Sequence, residues 1–131
     1  MANVLSNAGR AVVTNRLKGA GTEPRYVGWG TGAGTSAVTD TTLFTETALN
    51  LSTTSGTRAT GTSSQQTTSV SSDTYQVVAT LTASATGTCT NAGTFDNSTI
   101  GSGNLFLKGD FTGVALNNGD SIGFTMKLQF N

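Results

Sequence analysis

The sequence predicts a mainly β protein, an antiparallel β-sandwich or jelly-roll-like domain with a short N-terminal helix. Three observations lead there. Residues 74–86, TYQVVATLTASAT, set Val77, Ala79, Leu81, Ala83 and Ala85 against Gln76, Thr80, Thr82, Ser84 and Thr86. Strict alternation of this kind marks a half-buried strand. A second alternating run places Ile122, Phe124, Met126, Leu128 and Phe130 on one face, behind the turn signal Asn117-Asn118-Gly119-Asp120. Charged residues make up only 11% of the chain, well below the ~25% usual in soluble domains. Thr, Ser, Gly and Asn take their place, residues suited to exposed strands and to turns.

Taken in order, residues 3–18 carry the only helical pattern. Ser6 or Asn7 caps it, Leu5, Ala8, Val12 and Val13 face inward, and Gly19 ends it. Gly19 to Pro24 is a loop, Arg25 to Trp29 a short strand, and Gly28 to Thr35 a glycine-rich turn region packed against Trp29. Thr41 to Leu51 fits a helical turn or an irregular strand. Residues 52–72 are Thr, Ser, Gly and Gln with few large side chains. They read as a Thr/Ser-rich loop or, preferably, as one or two exposed strands, with a turn at Ser71-Ser72-Asp73. In NLFLKGDF, Leu105, Leu107 and Phe111 share one face. The expected core is Val77, Leu81, Leu105, Leu107, Phe111, Ile122, Phe124, Met126, Leu128 and Phe130.

At 131 residues the chain is one domain, 1–131, by size. Lys and Arg number 7 and Asp and Glu number 7, for a formal net charge of zero. Binding nucleic acid through its phosphates requires clustered basic charge. Arg25, Arg58, Lys108 and Lys127 are scattered, and Arg10, Arg16 and Lys18 form only a loose group, so no nucleic-acid partner is expected. Leu, Ile, Val and Phe together make up about a fifth of the chain, close to the level below which chains stay disordered. With no net charge to favour disorder, this reads as a thin-cored domain that gains burial from neighbouring subunits. The lone Cys89 excludes an intrachain disulfide and reads as a buried free thiol. MANVLSNAGR has no basic start followed by an apolar run, and no stretch reaches the ~20 apolar residues that cross a bilayer. Synthesis in a reducing cytoplasm and no membrane partner are therefore expected. The sequons Asn50-Leu51-Ser52 and Asn97-Ser98-Thr99 carry no meaning without secretion.

The residue types for catalysis are sparse. There is no histidine, the commonest general base and metal ligand. Glu23, Asp40, Glu46, Asp73, Asp96, Asp110 and Asp120 stand singly, with no local motif pairing two of them across a substrate. Gly28, Gly30, Gly32 and Gly34 are followed by no Gly-Lys-Ser/Thr and do not form a phosphate loop. Asp96 with Asn97, and Asn118 with Asp120, lack the spaced donors of a calcium loop and read as turn residues capping their own backbone. Tyr26 and Trp29 fit either a sugar-stacking platform or a core anchor, and the core anchor is preferred for Trp29. The reading is a non-enzyme with no cofactor and no metal.

Several segments then point to a family. RYVGWGTGAGTSAVTDT (25–41), preceded by NAG and TNRL within residues 7–17, resembles the start of a group of small structural proteins of tailed bacteriophages. TNAGTFDN (90–97) is similar to their "TEAGLFD" segment, with Asn91 and Thr94 in place of Glu and Leu. GNLFLKGDF (103–111) and VALNNGDSIGFTMKLQF (114–130) resemble their closing hairpin. The likeness covers most of the chain except residues 42–73. It implies a virion component: a head decoration (cement) protein, or a tail, collar or fibre-associated module that binds a host receptor or another tail protein. Fibres carry shafts or heptads, and this chain has neither, so the decoration protein is preferred. The implied partner is the major capsid protein on the outer capsid surface. A closed homotrimer matches the threefold positions of a shell and protects long strand edges. Segment 1–19 is the anchoring candidate, with Val4, Leu5, Arg10, Arg16 and Lys18 as candidate capsid contacts. Packing of that segment on its own sheet is the equal alternative.

Overall fold

The computed structural model describes residues 2–131. The chain runs β1 (Ala2–Leu5), α1 (Asn7–Leu17), β2 (Tyr26–Gly30), β3 (Glu46–Thr47), β4 (Ala59–Thr60), β5 (Thr62–Gln66), β6 (Thr74–Thr82), β7 (Gly87–Phe95), β8 (Leu105–Leu116) and β9 (Ser121–Gln129). One antiparallel sheet has the order β1-β8-β7-β2-β3, with β4 also paired to β2; the other is β5-β6-β9. Their facing side chains form one core. Val27, Trp29, Cys89, Ala92 and Leu116 from the first sheet pack against Val77, Ala79, Leu81 and Phe124 from the second. The fold is therefore the mainly β, antiparallel arrangement with a short N-terminal helix that the sequence predicts.

The strongest strand patterns are the best paired. β6 and β9 run in register from Thr74↔Gln129 to Thr82↔Ser121, so their apolar sets face the core together. β6 stops at Thr82 rather than continuing to residue 86. There the chain leaves the ladder, with Ala83 N donating to Asp120 O and Ser84 N donating to Leu49 O. The Thr/Ser-rich stretch does form exposed strands. β4 belongs to the first sheet and β5 to the second, and Gly61 between them lies where a Cβ would strike Val77.

Three expectations need correction. The helix does not begin at residue 3: Asn3, Val4 and Leu5 pair with Gly109, Lys108 and Leu107 of β8. Ser6 ends the strand and caps α1, its Oγ accepting from Gly9 N at 2.8 Å. Within segment 1–19 the described residues, 2–19, are thus a strand followed by a helix, and Gly19 closes the helix in the left-handed region at φ +88°. Second, Leu105 and Leu107 do not share a face. β7 and β8 shift register between Thr94↔Leu107 and Phe95↔Leu105, which leaves Phe106 as a bulge. Phe106 and Leu107 pack with Val12 and Met126, whereas Leu105 joins Leu43 and Phe95. Third, Phe130 is 57% exposed, because the β6–β9 ladder ends at Gln129. Phe111, Ile122 and Leu128 are half-buried, and the other expected core residues are buried.

Candidate functional site

Two buried cations organise the loops. Arg58 is 5% exposed and lies beside Glu46, with Nε 2.6 Å from Oε1 and Nη2 3.0 Å from Oε2. Its Nη1 donates to the carbonyls of Asn97, Thr99 and Ser102, and the guanidinium sits 3.4 Å from the Phe95 ring centroid. One side chain thereby ties the 96–104 loop to β3. Lys108 Nζ donates to Asp40 Oδ2 and to Thr42 O, each at 2.9 Å, and lies 3.3 Å from the Phe44 ring centroid. Burial pushes the Asp40 carboxyl up, but Lys108 and the Ala37 N–H together hold it below its ordinary value.

The glycines explain how the 31–45 segment lies on the sheet. Gly28 is paired directly with Gly93, and Gly30 with Asn91, across β2 and β7. The Gly28–Gly93 pair therefore leaves this face without side chains where Leu43 rests, and Gly30 leaves room for the Phe44 backbone. A Cβ on Gly93 would meet Leu43 Cδ2 at 2.9 Å, and one on Gly30 would strike the Phe44 carbonyl. Asn91 clamps the segment from below, accepting from Phe44 N and donating to Phe44 O, both at 3.0 Å. Ser36 N donates to Asp110 Oδ1 at 2.7 Å, and Ser36 holds that carboxyl below its ordinary value. The glycine cluster is thus a packing trough, and Asn91 has a structural task beside it. Trp29 is fully buried, with Nε1 donating to Ala48 O at 3.3 Å, so it is a core anchor and not part of a sugar platform.

The remaining polar groups serve their own turns. Asp73 accepts from the N–H groups of Thr68, Ser69 and Val70. The Val70 and Thr68 N–H groups lead in holding its carboxyl well below the usual range. Asp96 accepts from Asn104 N, Asn97 Oδ1 from Thr99 N, and Asp120 from Asn117 N. Among the described residues no three His, Cys, Asp or Glu side chains gather as metal ligands. Cys89 is buried, and burial pushes its thiol up to about 11, which suppresses the reactive thiolate. No described helix is long and apolar enough to cross a membrane.

The accessible features cluster around α1, which separates two grooves. On one side Ala11, Thr14, Asn15, Lys18, Thr22, Asp96 and Asn104 line a polar depression of about 430 Å³. On the other, Val12, Val13, Leu17, Tyr75, Phe106 and Phe130 line an apolar one of about 360 Å³, with Arg16 and Glu23 among its walls. The Tyr75 hydroxyl donates to Glu23 Oε1 at 3.2 Å, and its ring meets Phe106 edge-on at 5.9 Å. Burial first, and Glu23 second, raise the phenol above its ordinary value.

The structure divides the expected contact residues. Val4 and Leu5 are half-buried in β1, and Leu5 packs on the Val12–Phe106 cluster. Arg10, Arg16 and Lys18 are exposed, but they do not form one stripe, since Arg10 and Arg16 stand about 120° apart around a helix of 3.6 residues per turn. Sequence reasoning missed Leu17, Tyr75 and the exposed Phe130 as parts of one surface. The signal present was a leucine in the last helical turn beside Arg16 and Lys18, outside the inward-facing set. Comparison of the chain with family models, with curated proteins and with solved structures finds no match.

Proposed function

We propose that the chain is a bacteriophage virion structural protein, a decoration (cement) protein that binds the outer capsid surface as a homotrimer and reinforces the shell. The observation that carries the reading is where the family-like residues lie. Gly28, Gly30 and Gly93 form the trough beneath the 31–45 segment, and Lys108 pins that segment; Asn91, which departs from the pattern, clamps it as well. These residues set a shape and assemble no reactive centre, as suits a protein whose work is contact. The trimer is supported by the free edge of β5. Thr62–Gln66 pairs only with β6 among the described strands and carries no charge or proline to block pairing. A subunit contact there would cover the edge, and closed symmetry would stop it from propagating.

Two measurements test the reading. Sedimentation equilibrium of the full-length protein should give the mass of three chains, and a monomer both free and on particles sinks the trimer. Imaging of particles carrying labelled protein should show hundreds of copies on the head. A handful of copies at the tail would replace the decoration role with that of a tail, collar or fibre-associated module.

A further inference from the structure

We propose that the groove between α1 and β9 seats an acidic segment of a partner protein, which inserts one large apolar side chain and sets its carboxylates against Arg16 and Arg25. The floor is apolar and already formed: Val12, Tyr75, Phe106 and Leu128 line it. The rim is apolar where a soluble surface is usually polar. Leu17 is 82% exposed in the last turn of α1, and the exposed Phe130 lines the same groove. Apolar side chains clustered about a concavity mark a contact site. A volume of about 360 Å³ lies near the lower end of the ~300–1,000 Å³ of ligand sites. The trough is open along its length, which suits one anchoring side chain of a passing segment better than an enclosed small molecule.

Charge selects the partner. Among the described residues Arg58 and Lys108 are ion-paired. The other five cations are Arg10, Arg16, Lys18, Arg25 and Lys127. Arg16 lines the groove and Arg25 follows its lining residue Pro24. Arg10 stands about 120° from Arg16 around α1, Lys18 lines the neighbouring polar depression, and Lys127 is on the opposite face of β9 from Leu128. Arg16 lines the groove together with Tyr75, and Arg25 and Arg16 partly offset the rise that burial and Glu23 impose on the Tyr75 phenol. The single carboxylate in the walls, Glu23, is engaged by the Tyr75 hydroxyl. Asp73 adjoins the groove through the Phe130 N–H bond to its carbonyl, and its carboxylate is taken up by three backbone N–H groups and Gln129 Nε2. Asp110 and Asp120 accept from backbone N–H groups elsewhere, and Asp96 lies in the neighbouring polar depression. The apolar trough is therefore flanked by two cations, Arg16 and Arg25, against one carboxylate that is already engaged, and such a surface recruits and orients acidic partners.

This inference rests on the decoration reading only for the source of the segment, a capsid protein. The test uses the full-length protein and three blocked peptides: Glu-Glu-Phe-Leu-Glu-Glu, its Lys-for-Glu counterpart, and its Ser-for-Phe/Leu counterpart. Titration of isotope-labelled protein by the first peptide should shift the amides of residues 12–17, 23–25, 75 and 128–130. The lysine and serine peptides should bind at least tenfold more weakly. Arg16→Glu and Leu17→Ser, both at exposed positions, should each weaken the first peptide by fivefold or more while leaving the remaining amide spectrum unchanged. Equal binding of the acidic and basic peptides, shifts outside the groove, or no shift at all overturns the proposal. So does self-association abolished by Leu17→Ser, or Leu17-dependent binding to phosphatidylserine vesicles, since a second copy or a membrane would then be the occupant. Peptide binding by a protein that fails to load onto bare capsids supports the groove and removes the decoration reading alone. Capsid loading undiminished by Arg16→Glu and Leu17→Ser does the reverse.

Discussion

Replacing Arg58 by alanine should cost about 4 kcal/mol, within the ~3–5 kcal/mol lost when one partner of a buried ion pair is removed. The size follows from what is left behind. Glu46 is 9% exposed and would lose both of its guanidinium contacts. The carbonyls of Asn97, Thr99 and Ser102 would lose their shared donor, and the Phe95 ring its stacked cation. A loss of ~4 kcal/mol is a large part of the ~5–15 kcal/mol by which a domain is stable. It should lower the melting temperature by about 10 °C or more at this chain length. Arg58→Lys should fall between wild type and alanine, because an ammonium cannot reproduce the planar fork. Urea unfolding gives the free energies, and a double-mutant cycle with Glu46→Gln isolates the coupling. Hydrogen exchange locates the damage: the amides of Ile100, which donates to Gly56 O, and of Ser102, which donates to Thr99 O within the pinned loop, should lose protection before those of β6 and β9. A loss under ~1 kcal/mol, with coupling near zero, would show that the pair is relaxed by water and that the loop is held by other means.

Other expectations are simpler. Phe124 is buried against Phe111, and Thr125 on the opposite face is exposed; Phe124→Ala should cost ~3–5 kcal/mol and Thr125→Ala far less. Equal losses in urea would place the register of β9 wrongly. The depressed carboxyls of Asp40 and Asp73 stabilise the fold above the ordinary carboxylate value of 3.8, and this contribution disappears as pH falls through their folded values. The urea midpoint should therefore drop between pH 6 and 3, by less in Asp40→Asn, and an identical drop in that variant refutes a role for Asp40. The Cys89 thiol, raised to about 11, should resist a thiol reagent at pH 8 until the protein is unfolded. Its linkage runs in the opposite sense to that of the carboxyls, with stability falling as pH rises above the unfolded thiol value. Rapid labelling of the native protein would contradict its burial.

The parts of the fold legible in the sequence are those in which one rule acts alone. β6 and β9 bury one face each, so period-two alternation survives intact, and the Asn117–Asp120 turn joins β8 to β9 where its residues indicate. The same rule fails in β8, because the bulge at Phe106 changes the face on which Leu105 and Leu107 lie. The first sheet is also covered on both sides at Leu105–Gly109, which removes the polar half of the alternation. β1 is four residues long and runs through Ser6 into α1, so a helical pattern extended one turn too far absorbs it. The purpose of the alternating glycines was not legible either. Gly28 and Gly93 become meaningful only when β2 and β7 bring them opposite one another beneath Leu43. The groove was legible only in its charges. Arg16 is evident in the sequence, whereas Tyr75 and Phe130 reach it through the β6–β9 ladder, from residues far away in the chain.

Balanced composition conceals how the charges are sorted. Two cations are inside, each matched to one carboxylate and to backbone carbonyls, and each holds a long loop against a sheet. Most of the other carboxylates satisfy N–H groups in their own turns, where exposed loops would otherwise leave donors to solvent. Of the other five cations, Arg16 lines the apolar groove beside α1 and Arg25 follows its lining residue Pro24. A loop-rich domain with a thin core needs its ionic contacts for rigidity, and this one places nearly all its carboxylates there. The cations left over then give the surface a direction. That is why a chain with zero net charge is expected to distinguish an acidic contact from a basic one at the groove flanked by Arg16 and Arg25.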